Sequence, residues 1–135
     1  MSKRETLIRE ALDAAKDKGI IIWPGAAFDW TDRPSGVTFK KFKVPGPSGP
    51  LPSACSAIGA MELLLGRERE FTEGWFTKVC EYLDVGSYWL YRFHMGFDRG
   101  QQLVYKVKGK KDKLVDKQCE VSKMGLKLRK RYVGW

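Results

Sequence analysis

Four prolines fall within eight residues, at Pro45-Gly46-Pro47-Ser48-Gly49-Pro50-Leu51-Pro52. A proline has no amide donor and a fixed φ, so this stretch can form neither helix nor central strand. It reads as an exposed polyproline-like loop. Pro47-Ser48-Gly49-Pro50 has the P-x-x-P spacing, but no basic residue adjoins it. A linker or flap is therefore expected rather than an SH3 ligand.

Periodic segments lie on both sides of the loop. Leu7, Ile8, Ala11, Leu12 and Ala15 recur on one face of a 3.6-residue period, which predicts a helix over 3–18. Ser2 with Glu5 three residues on has capping-box spacing, and Gly19 supplies the stop. Ile20–Trp23 then reads as a short buried segment. Val37–Val44 has strand composition with imperfect alternation at Lys40-Lys41, as at an edge. Ser53 is expected to open a second helix, Ala54–Leu65, closed by Gly66. Its small residues would let other backbone approach, a central position. Thr72 opens a third helix to about Leu83, with Trp75, Phe76, Val79, Cys80 and Leu83 on one face. Ser87 opens a fourth, ending near Met95-Gly96.

The segment 88–97 is aromatic on most sides and is expected to be buried or interfacial. Gly96–Gly100 reads as a turn that Asp98 can close. Gln102–Lys108 alternates well and is predicted to pair with Val37–Val44. Asp112 is expected to cap a final helix reaching Tyr132. Leu114, Gln118, Val121, Gly125, Leu128 and Tyr132 keep its register over about 31 Å. Gly125 would mark a bend or a close contact. The predicted fold class is α+β and mainly helical: about five helices, a minor two-stranded antiparallel element, and residues 1–135 as one compact domain.

The sequence Cys55-Ser-Ala-Ile-Gly59-Ala60, followed by Gly74-Trp75, Leu83, Trp89 and Gly96-Phe97-Asp98, resembles a pattern in small bacterial and phage proteins. There a C-x-x-x-G-A helix precedes a G-W helix and a closing G-F-D turn. The resemblance covers about residues 53–100. It implies a compact helical unit there and a bacterial or viral source, and it implies no activity.

Several function classes are excluded or disfavoured by composition. The longest apolar stretches, Ile20–Trp23 and Ile58–Leu65 with Glu62 inside it, fall far short of the roughly 20 residues a membrane span needs. The first twelve residues are charged and helix-patterned, unlike a secretory signal. Glu5, Glu10, Asp13 and Asp17 are unlike a transit peptide. Three widely spaced cysteines, Cys55, Cys80 and Cys119, make no disulfide framework and point to a reducing, cytoplasmic setting. With one histidine, His94, and no C-x-x-C, no metal site and no cofactor are expected. A cysteine-dependent enzyme would need Cys55 at a helix start, where the dipole lowers a thiol pKa, with His94 as base and Asp98 as orienting group. The residues weigh against it, because a Cys among small apolar neighbours is usually a core residue. Asp29, Asp32, Glu62 and Asp98 offer no fixed carboxylate pair.

Charge gives the main functional lead. Residues 1–98 carry 13 basic and 13 acidic side chains; residues 99–135 carry 12 and 3, which is the entire net charge of +9. Such a footprint fits an anionic partner, nucleic acid first. The candidate contacts are Lys106, Lys108, Lys110, Lys111, Lys113 and Lys117, then Lys123, Lys127, Lys130 and Arg131. Base-reading side chains are scarce there, so backbone-dominated binding is expected. Trp30, Phe39, Phe42, Tyr105 and Tyr132, near Lys40, Lys41, Lys43, Lys106, Lys130 and Arg131, add the option of stacking on single strands. The alternative is an accessory subunit docking a protein partner through 88–97.

Overall fold

The structure is a computed structural model that describes residues 2–25, 28–29, 52–65 and 75–134, with 28, 29, 75 and 76 as backbone only. Within these residues the chain is mainly helical α+β, with five α-helices and a separate two-stranded antiparallel sheet. Val37–Val44, nearly all of the proline-rich loop, Gly66 and Thr72 lie outside the described residues, as does the Trp75 side chain.

Helix α1 spans Lys3–Asp17. Ser2 Oγ accepts from the Glu5 amide at 3.1 Å, and Gly19, at φ 80°, follows its end in the left-handed conformation. Ile8, Ala11, Leu12 and Ala15 face the core. Strand β1 (Ile21–Ile22) runs parallel to β3 (Ala54–Cys55), and β2 (Phe28–Asp29) pairs antiparallel on the other side of β3.

Residues 54–55 are thus strand, not the first turn of a helix. Helix α2 is Ala57–Leu64, and Ser56 rather than Ser53 is its cap, accepting from the Gly59 amide at 3.4 Å. Both serines suit an N-cap. The pairing Ile21↔Ala54 and Ile22↔Cys55 decides between them. Every residue of α2 from Ala57 to Glu62 is buried, as expected for a central helix.

Helix α3 (Trp75–Leu83) buries Val79, Cys80 and Leu83. Helix α4 (Ser87–Phe97) starts one residue earlier than a Ser87 cap would allow. Gly86 is its N-cap, without a side-chain bond, and Asp98 is its C-cap. Leu90, Phe93, Gly96 and Phe97 form its buried face.

The C-terminal third differs most from expectation. Strand β4 (Val104–Lys108) pairs with β5 (Leu114–Gln118); its expected partner, Val37–Val44, lies outside the described residues. Helix α5 is only Glu120–Tyr132, 13 residues or about 20 Å. Asp112 is not its cap. Lys111 and Asp112 take φ of 59° and 57° and turn the hairpin. Gly125 marks a close approach: a Cβ there would lie 2.6 Å from Phe93 O, while one on Gly96 would lie 2.1 Å from Ser122 O. The two glycines let α4 and α5 cross backbone to backbone.

Among the described residues the hydrogen bonds that hold the hairpin to the rest of the fold lie at its root. Buried Ser122 Oγ donates to Cys119 O at 3.1 Å and accepts from Leu103 N and Gln102 Nε2, each at 3.0 Å. Ser122→Ala is expected to cost about 1–3 kcal/mol, because the Leu103 amide loses its acceptor. A shift in the denaturant midpoint checks this, and faster exchange of that amide should accompany it.

Candidate nucleic-acid interface

Six of the candidate cations belong to the hairpin. From Val104 to Gln118 every side chain is exposed except Val107, which is half-buried; Gly109 is half-buried too. The register puts Val104 with Gln118, Lys106 with Asp116 and Lys108 with Leu114 on one face. The opposite face carries Tyr105 with Lys117 and Val107 with Val115. Lys110, Lys111 and Lys113 sit at the tip. Lys106 is in an ion pair with Asp116. Lys108, Lys110, Lys111, Lys113 and Lys117 have no carboxylate partner among the described residues. The expected long basic helix is therefore a cationic two-stranded arm joined to a short helix.

The four cations of α5 divide by role. Lys127 Nζ meets Glu5 Oε1 at 3.2 Å, and Glu5 is almost fully buried, so this lysine pins α5 to α1. Arg131 lies 6.0 Å from the Tyr132 ring centroid, and Lys16 lies 5.6 Å from it. Tyr132 donates to Asp13 Oδ1 at 2.7 Å, which makes it a brace between helices rather than a stacking platform. Lys123 and Lys130 are exposed. Lys130, Arg99 and Arg129 border a shallow depression of about 520 Å³, where Arg129 Nη1 donates to Phe97 O at 2.7 Å. Trp30, Phe39, Phe42, Lys40, Lys41 and Lys43 lie outside the described side chains. Tyr105 is exposed on the arm.

The candidate thiol chemistry is not assembled. Cys55 sits in β3, just before the Ser56 cap of α2 rather than in the helix's first turn, and burial pushes its thiol far above the usual range. All three cysteines are buried and unbridged. His94 Nδ1 does meet Asp98 Oδ2 at 2.6 Å, and Asp98 Oδ1 accepts from the Gly25 amide at 3.3 Å. That pair ties the end of α4 to the turn after β1. No hydrogen bond joins His94 to Cys55 among the described residues. No cluster of three or more His, Cys, Asp or Glu that could hold a metal occurs there either. No helix of the described residues is long and apolar enough to cross a membrane.

Because the folded Cys55 favours its protonated form, its share of stability is complete below the ordinary thiol pKa of 9.0 and is lost as pH rises above it. The stability lost should approach about 1.4 kcal/mol per pH unit above that value. Tyr82, raised by burial and then by the Glu10 charge, acts in the same direction at higher pH. A urea midpoint unchanged between pH 8 and pH 10.5 would contradict the buried thiol.

Sequence reasoning placed Tyr88, Tyr91 and Arg92 in the aromatic segment 88–97 of the protein-docking alternative and not among the nucleic-acid contacts. The two tyrosines are 64% and 48% exposed, on the side of α4 away from Leu90, Phe93 and Phe97. The signal was present in the helical spacing of the last three, which leaves residues 88, 91 and 92 to the other face. Comparison of the chain with protein-family models, curated proteins and solved structures finds no match.

Proposed function

We propose that the protein is a binding module for nucleic acid, and that the β4–β5 arm holds phosphates with support from the exposed lysines of α5. The observation that carries this reading is the arm itself. It projects six lysines against two acidic residues, Asp112 and Asp116, and contributes almost nothing to the core. An isolated two-stranded hairpin is marginal in water. Exposing Val104, Leu114 and Val115 on it makes sense where a partner covers it. A two-stranded ribbon also has the width of a nucleic-acid groove. Lysines bind phosphate as point charges, and Gln118 is the one amide side chain on the strands, so affinity should depend little on sequence. Three buried thiols without a bridge accord with a cytoplasmic setting.

The test is fluorescence anisotropy against salt concentration. About five phosphate contacts give a log K versus log salt slope of roughly −4.5 on duplex or −3.5 on single strands. Replacing Lys108, Lys110, Lys111 and Lys113 with Gln should flatten that slope by about three units. The melting temperature should hardly move, because these charges are exposed. An unchanged slope, or binding weaker than about 10⁻⁴ M to every nucleic acid at low salt, would refute the reading.

A further inference from the structure

Helix α4 turns Leu90, Phe93 and Phe97 inward, which leaves Tyr88, Tyr91 and Arg92 on the side that faces the root of the arm. The Arg92 guanidinium lies 4.2 Å from the centre of the Tyr88 ring. The Tyr88 and Tyr91 rings are 6.2 Å apart, with planes inclined by 28°. Opposite them stand Leu103, Val104 and Tyr105, and between the two sides runs a groove of about 340 Å³. Tyr105 is 44% exposed, and its strand partner is Lys117. Aromatic rings and a guanidinium thus line one groove, with Lys117 the strand partner of one of the rings.

We propose that this groove takes the unpaired bases of a single-stranded nucleic acid, stacked on Tyr88, Tyr91 and Tyr105, while Arg92 and the arm lysines hold its phosphates. The proposal rests on the reading of the arm as a phosphate-binding element and specifies its substrate class. Charge selects a polyanion as the occupant. The exposed rings select, among polyanions, one with free π-faces. Duplex offers phosphates but keeps its bases stacked inside, whereas a single strand presents both. Stacking accepts every base, in keeping with the scarcity of base-reading side chains on the arm.

The experiment compares three labelled probes of about 12 nucleotides, within the usual span of single-strand sites: oligothymidylate, an abasic strand with the same phosphates, and a blunt duplex. The full chain should bind oligothymidylate more tightly than either of the others. The double variant Tyr88→Ala, Tyr91→Ala should lose roughly 5- to 150-fold per stacked base, with its salt slope unchanged. Tyr88→Phe, Tyr91→Phe should restore the affinity, since rings and not hydroxyls do the stacking. Both tyrosines are exposed, so thermal melting should match the parent. Equal binding of oligothymidylate and the abasic strand, with the slope still dependent on the arm lysines, overturns the stacking groove and leaves the arm reading intact. Tighter binding of the duplex, or an alanine variant that binds like the parent, also overturns it. Polyglutamate competing as well as oligothymidylate would assign the groove to an acidic protein. Failure of all three probes at low salt overturns both readings.

Discussion

Gly96→Ala is expected to destabilise the fold by about 3 kcal/mol or more, although the same change in an exposed helix would stabilise it by up to about 1. The new methyl would lie 2.1 Å from Ser122 O and 2.9 Å from Ser122 C, both backbone atoms of α5 that no side-chain rotation can move. Relief requires α5 to shift as a body. That shift would disturb Gly125, whose own close contacts are Phe93 O and Phe97 N, and would loosen the Ser122 bonds at the root of the arm. Urea titration of the purified variant measures the loss. A midpoint within error of the parent would show that α4 and α5 are not in backbone contact.

Phe93→Ala should be about as severe, at about 3–5 kcal/mol. Phe93 is fully buried, stacked 6.0 Å from Trp89 and 5.8 Å from Phe97 by ring centroid. It sits where α4 meets α5, so truncation leaves a void beside the backbone crossing, which is too rigid to collapse into it. Much of the 5–15 kcal/mol expected for a domain would be gone. A variant that melts cooperatively at nearly the parent temperature would place Phe93 outside the core.

Helix α1 was legible from end to end because its signals are local: Ser2, a clean 3.6-residue period, and Gly19. The start of α2 was misplaced because Ser53 and Ser56 are equivalent caps by local chemistry. The strand that separates them is created by Ile21 and Ile22, more than thirty residues away. The C-terminal error has a similar cause. Leu114, Gln118 and Val121 fit a helical register, but Leu114, Asp116 and Gln118 also fit one face of a strand, and Asp112 suits both an N-cap and a turn. Pairing with β4 and the buried Ser122 network settle the choice. The charge concentration was visible in the sequence, but its shape was not. That Lys127 serves Glu5 rather than solvent depends on a contact 122 residues apart, which no local pattern reveals.

That Glu5–Lys127 contact also bears on how the chain is made. The cation that Glu5 pairs with is synthesised 122 residues after it. At about 5–20 residues per second, the wait is roughly 6–24 s. The Tyr132–Asp13 brace is delayed almost as long. Pairings this distant in sequence slow folding, because loop closure must precede the contact that rewards it. α1 therefore stays incompletely docked during synthesis, and a chain stalled before α5 emerges would still bury Glu5 imperfectly and offer a ready target to chaperones and proteases.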